Sequence, residues 1–212
     1  MRRSLAAAAL VAFAFGLGSG ESRSQSINLA DRVEEDWVLV ADETASPDGP
    51  QVNTVMGPTS DLSQPVVALN INYRQSPGYL PGGLQAIVYG SYGLISSKVL
   101  ATDALNLANE TVSWTQRMTI SGGTVRYLIP SVSSTSWGTF TDSVELASFA
   151  TTNATLKDYS PDASAANSGG AWKTQGLKSL TLVAVRYYVA GVLIQTDTTA
   201  RPVDFTKPFT RP

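Results

Sequence analysis

Short runs rich in Val, Ile, Leu, Thr and Tyr alternate along this chain with clusters of Gly, Pro, Ser, Thr and Asn. Apolar and β-branched runs bounded by turn residues at short intervals are typical of an all-β sandwich or barrel. Long stretches with a helical period are missing from the pattern. We therefore expect an all-β fold of about eleven strands, arranged in two packed antiparallel sheets.

The segment Val66–Arg74 shows the alternation of a half-buried strand most clearly. Every second position from Val67 onward is apolar, whereas the positions between them include Asn70, Asn72 and Arg74. Successive residues of a strand point to opposite faces of the sheet. The pattern therefore predicts a core face and an opposite face that presents two amides and a guanidinium.

A second alternating segment, 111–120, predicts where the largest side chains lie. Val112, Trp114, Met118 and Ile120 share one face of this strand, so we expect Trp114 to point into the core. We expect the same for Trp37.

The first residues have the order of a secretory signal peptide. Arg2 and Arg3 precede the apolar stretch Leu5–Leu17, and small and polar residues follow it. The apolar part is too short to span a bilayer comfortably, and no later run is long enough to do so. The sequence thus predicts an exported protein, secreted or periplasmic, without a membrane span. We divide it into a signal peptide (1–25), a β-sandwich domain (26–200) and an extended, Pro-containing tail (201–212).

Composition excludes several chemistries. The chain of 212 residues has no Cys and no His. A Ser-His-Asp triad, a Cys nucleophile, a disulfide and the usual zinc, haem or iron–sulfur sites are therefore ruled out. Loss of Arg2 and Arg3 with the signal peptide leaves a mildly acidic domain, and such a domain lacks the basic surface that nucleic acid requires.

Several motifs resemble a family of uncharacterised exported bacterial proteins over most of the mature chain. They are Glu35-Asp36-Trp37, the segment 50–56, Gly82-Gly83-Leu84-Gln85, the segment 110–118, Trp137-Gly138-Thr139-Phe140, Asn167-Ser168-Gly169 and Val185-Arg186-Tyr187-Tyr188. More loosely, the strand order resembles the concanavalin A/laminin G-type jelly roll. That superfold includes sugar-binding modules, glucanases and alginate-type lyases, so the resemblance implies a jelly roll but supplies no catalytic residues.

Acidic residues offer little sign of a glycosidase. Glu34 and Asp36 share one face of a strand, but no third acid follows in register, and Glu110 and Glu145 are solitary. We expect these carboxylates to be solvated charges at strand entrances. No catalytic residue is assigned, and whether the protein is an enzyme stays open, with the balance towards a non-catalytic role.

The segment 156–172 is predicted to form a long loop, and its aspartates raise the hypothesis of a calcium site. Asp158 and Asp162 have the spacing of the first ligands of an EF-hand loop, but Ala163 and Gly169 replace the Gly and Glu that such a loop needs. A Ser- and Asp-rich surface loop is the favoured interpretation. No other cofactor is expected.

The remaining candidates point to sugar recognition, because amides and guanidinium groups hydrogen-bond hydroxyls and carboxylates, and indoles stack on sugar rings. The candidate ligand-binding residues are Asn70, Asn72, Arg74, Gln85, Arg117, Arg186, Trp137 and Trp172. We expect a non-catalytic exported module that binds extracellular glycan. A structural or adhesive surface protein with protein partners, and a polysaccharide lyase or hydrolase, remain as alternatives.

Overall fold

The structure is a computed structural model that describes residues 27–41, 51–60, 64–72, 83–90, 93–101, 105, 107–140, 144–167, 170–171 and 177–204. The predicted signal peptide and the last residues of the predicted tail lie outside these residues. No helix in the described part is long and apolar enough to cross a membrane.

The described residues form fourteen strands in two antiparallel sheets, which confirms the predicted β-sandwich. The eight-stranded sheet has the order β13 (Val192–Asp197), β12 (Leu177–Val189), β1 (Arg32–Ala41), β6 (Thr111–Ser121), β7 (Thr124–Ser134) and β8 (Gly138–Phe140), with β14 (Arg201–Pro202) beside β12 and β9 (Val144–Ala150) beside β7. The six-stranded sheet has the order β11 (Gly170–Ala171), β10 (Asp162–Asn167), β2 (Gln51–Met56), β3 (Val66–Asn72), β4 (Leu84–Gly90) and β5 (Gly93–Ala101).

Three strands lie where the pattern predicts none, namely β10, β11 and β14. β10 crosses the predicted loop 156–172 and pairs with β2, although its sequence of small residues has little strand propensity. β14 contains the first residues of the predicted tail. It pairs with β12, and Val203 after it is buried. Pairing with a neighbouring strand stabilises these segments, so their own sequences carry little signal of a strand.

The core lies between the sheets, and β1 runs through the middle of the eight-stranded sheet between β12 and β6. Trp37 of β1 and Trp114 of β6 are opposite each other, and both are buried. Their rings stack with centroids 6.3 Å apart and planes inclined by 12°. The inward placement predicted for both indoles is confirmed.

A tight turn between β6 and β7 sets the register of the neighbouring strands. Gly122 and Gly123 both have positive φ angles, of 56° and 73°. This conformation favours glycine, and it matches the right-handed twist of the strands it joins.

Replacement of Trp114 by alanine should destabilise the protein strongly. A buried Trp-to-Ala change costs about 3–5 kcal/mol through lost burial and the cavity that remains. Chemical denaturation should therefore show a free energy of unfolding lower by that amount. Trp114→Phe is the matched control and should lose less, because the indole Nε1 of Trp114 makes no hydrogen bond within the described residues. A Trp114→Ala protein as stable as the wild type would contradict the inward assignment.

Candidate functional site

The predicted ligand-binding residues fall on two different sheets and do not form one site. Asn70 of β3 and Gln85 of β4 lie directly opposite each other on the six-stranded sheet. They are only 2% and 6% exposed, so the face that carries them is covered there rather than open to solvent as expected. Arg117 and Arg186 lie on the eight-stranded sheet, on the face directed away from the core, which we call the outer face.

The other candidates are scattered. Asn72 is the last residue of β3, and Arg74 and Trp172 lie outside the described residues. Trp137 precedes β8 and packs, partly buried, against the core, while its backbone N–H donates to Ser134 Oγ at 3.2 Å. This placement favours a structural role for Trp137 over an open stacking platform.

The two aspartates of the calcium hypothesis have different environments. Asp158 is exposed in a turn, where its Oδ2 lies 3.9 Å from Lys157 Nζ. Asp162 instead begins β10, in an extended conformation that an EF-hand loop does not have. Within the described ranges, no group of three or more acidic residues has the geometry to hold a metal ion.

An ion-pair network occupies the middle of the outer face, where Glu34 of β1 accepts hydrogen bonds from three side chains on the two neighbouring strands. Arg117 Nε of β6 donates to Glu34 Oε1 at 2.7 Å. Arg186 Nε and Tyr188 Oη of β12 donate to Glu34 Oε2 at 3.2 and 2.8 Å. Burial alone would raise the pKa of Glu34, but the hydrogen bonds from Tyr188 and Arg117 hold this pKa below its ordinary value.

Asp36, two residues further along β1, is held by a bidentate ion pair. Both terminal nitrogens of Arg186 donate to its carboxylate, with Nη2 2.7 Å from Oδ1. Thr115 Oγ1 donates to the same Oδ1 at 2.7 Å. Burial opposes ionisation here too, yet the bonds from Arg186 and Thr115 keep the pKa of Asp36 below its usual range. Both carboxylates of this face are therefore ionised at neutral pH and fixed in position.

Two depressions in the outer face lie at opposite ends of this network. The first, which we call the hydroxyl groove, has a volume of about 290 Å³, and its lining includes the polar residues Asp36, Ser113, Thr115, Ser131, Ser133 and Thr139 together with the apolar residues Val38 and Val183. The second, the arginine groove, has a volume of about 400 Å³ and is lined by Arg32, Arg117 and Arg126, with Asp31 and Glu145. The cross-strand register of β1, β6, β7 and β8 places the hydroxyl-bearing residues in two neighbouring rows, Thr115-Ser131 beside Asp36 and Ser113-Ser133-Thr139 beside Val38.

The core contains a polar cluster that the sequence analysis missed. Glu35 is fully buried, and its Oε2 accepts hydrogen bonds from Trp37 Nε1 at 2.6 Å and from Gln116 Nε2. Gln116 Oε1 in turn accepts from Tyr127 Oη at 3.0 Å and from Thr54 Oγ1 at 2.8 Å. Thr54 belongs to the six-stranded sheet, so the cluster connects the two sheets across the core.

Burial raises the pKa of Glu35 to about 8, although hydrogen bonds from Trp37 and Gln116 lower it in part. Its Oε1 makes no hydrogen bond to any described residue. A buried carboxylate without full hydrogen bonding is costly, and protonation removes the charge. Glu35 is therefore the neutral acid at pH 7.

The expectation of solvated carboxylates is wrong for two of the four acids it concerned, Glu34 and Glu110, and Asp36 is partly buried. Glu34 and Glu110 are 6% and 4% exposed. Glu110 accepts hydrogen bonds from Ser134 Oγ at 2.5 Å and from the backbone and side chain of Ser136, which fixes the turn before β8. Asp36 is held in its ion pair, and only Glu145 is well exposed.

The position of Glu35 was available from strand parity. Val33, Glu35, Trp37 and Leu39 share one face of β1, and the three apolar members of this set are buried in the core. Glu34 and Asp36 are predicted from the sequence to share one face of a strand, and the same alternation places Glu35 on the opposite, core-facing side.

No protein-family model matches the chain, and a search of curated proteins finds no match.

Glu35 should make the protein less stable as the pH rises. Its pKa is about 8 in the folded protein and near the ordinary 4.5 in the unfolded chain. Between these two pH values the folded protein keeps a proton on Glu35 that the unfolded chain has released. The stabilisation that this proton gives to the folded state is therefore complete below pH 4.5 and is lost as the pH rises through about 8. Over this window, the free energy of unfolding should fall by an amount on the order of a few kcal/mol.

Denaturation of Glu35→Gln over the same pH range measures this contribution, because glutamine keeps the shape of the neutral acid and cannot ionise. We expect a flatter pH profile and a gain in stability above pH 8 relative to wild type. The surface variant Glu145→Gln is the matched control and should keep the wild-type profile. Parallel profiles for Glu35→Gln and wild type would contradict the assignment of Glu35 as a neutral buried acid.

Proposed function

We propose that this protein is an exported, non-catalytic module that binds extracellular glycan through the outer face of its eight-stranded sheet. The observation that carries the proposal is the hydroxyl groove, where five Ser and Thr residues and the carboxylate of Asp36 lie side by side. Hydroxyl groups donate and accept, and an ionised carboxylate accepts strongly, which suits a ligand that is itself rich in hydroxyls.

The polar groups of the groove are held in place before any ligand arrives. Asp36 is fixed by Arg186 and Thr115, and Ser131 Oγ lies 3.3 Å from Thr115 Oγ1 as a further donor. Side chains that are already ordered lose little entropy on binding, so their hydrogen bonds contribute more to affinity. Recognition here rests on hydrogen bonds, because Trp37 and Trp114 turn their rings into the core.

The states of the carboxyl groups favour binding over hydrolysis. Glycosidases use one carboxyl group with a raised pKa as the general acid, beside an ionised partner. On the outer face, Glu34 and Asp36 both have lowered pKa values and both accept hydrogen bonds from Arg186. Among the described carboxyl groups, Glu35 has a raised pKa, and it lies within the core without access to solvent.

An array of neutral and acidic polysaccharide oligomers, probed with wild type and with Ser133→Ala/Thr139→Val, tests this function. Both side chains are exposed in the hydroxyl groove, and the substitutions remove their hydroxyls while keeping nearly the same volume. Two lost hydrogen bonds at about 1 kcal/mol each should weaken the Kd by about tenfold or more.

The matched control is Ser97→Ala/Thr198→Val, which removes two exposed hydroxyls away from the groove and should bind like wild type. Wild-type protein that binds no oligomer on the array would overturn the proposed function. Equal affinities for wild type and Ser133→Ala/Thr139→Val would move the binding site elsewhere.

The alternative of a protein partner has one observation in its favour. Leu94 and Ile95 are 64% and 57% exposed on β5, the edge strand of the six-stranded sheet. An exposed apolar edge strand can pair with a strand from another chain. Leu94→Lys/Ile95→Lys would abolish association of that kind and leave glycan binding unchanged.

A further inference from the structure

The arginine groove lies on the same outer face as the hydroxyl groove, and the row of β1 and β6 positions connects them. Arg32 and Asp36 are four residues apart on β1, as are Thr119 and Thr115 on β6. At the usual strand rise, these far members of the two linings are about 13 Å apart, whereas the nearest members, Arg117 and Thr115 on β6, are about 7 Å apart. A ligand that fills both grooves must therefore extend beyond one sugar ring, as a short linear oligosaccharide does.

We propose that the ligand is an acidic linear glycan, whose uncharged hydroxyls occupy the hydroxyl groove while a carboxylate or sulfate group further along the same chain binds in the arginine groove. This inference rests on the proposed function and names the class of glycan. Three guanidinium groups line the arginine groove beside two carboxylates, so its lining can offer several N–H donors to an anionic group.

Arg117 keeps donors available for such a group. Its Nε is bound to Glu34, which fixes the direction of the side chain, and its terminal nitrogens make no hydrogen bond within the described residues. A guanidinium group presents paired N–H donors that match the oxygens of a carboxylate or a sulfate.

Arg32 is held in a similar way, by stacking. Its guanidinium carbon lies 3.7 Å from the centroid of the Tyr188 ring, and its Nη2 makes one long hydrogen bond, of 3.5 Å, to the carbonyl of Gly191. Stacking on a ring face orients a guanidinium group but does not use its in-plane donors. Arg32 and Arg117 are therefore oriented by contacts that leave capacity for an anion.

Arg126 completes the groove from β7, and it is the most exposed of the three arginines. Its ion pair with Glu145 has a separation of 3.8 Å, with the side chains 61% and 47% exposed. Exposed pairs of this kind contribute little to stability, so Arg126 can exchange Glu145 for a ligand anion at small cost. Its replacement should leave the fold intact.

Titrations with oligogalacturonides and with their fully methyl-esterified, neutral counterparts test the inference, with dextran sulfate as a sulfated probe. The acidic form or the sulfated probe should bind more tightly to wild type, and added salt should weaken this binding, since exposed charges are screened. Arg126→Gln should weaken acidic binding by roughly three- to tenfold and leave neutral binding unchanged. Arg126→Lys should restore part of the loss.

Lys157→Gln is the matched control, because it removes an exposed positive charge away from the groove and should bind like wild type. Wild type that binds the neutral and acidic forms equally would overturn the inference but not the proposed function. No binding of any probe would overturn both. If a poly-glutamate peptide bound as tightly as the acidic oligosaccharides, and Ser133→Ala/Thr139→Val did not change this binding, the ligand of the arginine groove would be an acidic protein segment instead.

Discussion

The hydrogen-bonded carboxyl group of Glu35 is the constraint on which much of this sandwich depends. It lies fully buried on the central strand β1, where an unpaired polar group would be costly. Gln116 donates to Glu35 and accepts from Thr54, so satisfying this one group sets how the facing sheets approach each other. A chain of hydrogen bonds forms only when its side chains have the right relative positions. Apolar contacts, in contrast, persist when the two sheets shift slightly against each other.

The same strand also organises the outer face, because its side chains alternate. Glu34 and Asp36, on either side of Glu35, point outward into the ion-pair network with Arg117 and Arg186. These bonds join β12, β1 and β6 by side chains as well as by backbone. The polar surface between the two grooves is thus held in place by ion pairs. The core is held in a similar way, because consecutive acids of β1 have hydrogen-bond partners on both faces of the sheet.

Much of the fold could be predicted from the sequence, because period-two alternation reports burial on one face. It placed Trp114 in the core correctly, and it located most of the strands. It failed for Asn70, whose polar side chain is buried on the face expected to be open, since alternation cannot show what covers a sheet. The candidate site was predicted only in part. Arg117 and Arg186 are on the outer face, but their common partner Glu34 becomes visible only with the strand register, which no single segment reveals.

The proposed glycan site consists of hydroxyls and oriented arginines, without an open aromatic platform among the described residues, and this composition determines how it would bind. Each hydrogen bond to a sugar replaces one to water, so a single contact contributes little net free energy. Useful affinity must come from several contacts made together by groups that are already fixed, and from charge. The anchoring of Asp36 by Arg186 and of Arg117 by Glu34 supplies that order before the ligand arrives. Under the proposed function, the ion pairs of the outer face therefore contribute to recognition even where they contact no ligand, because they orient the polar groups that do.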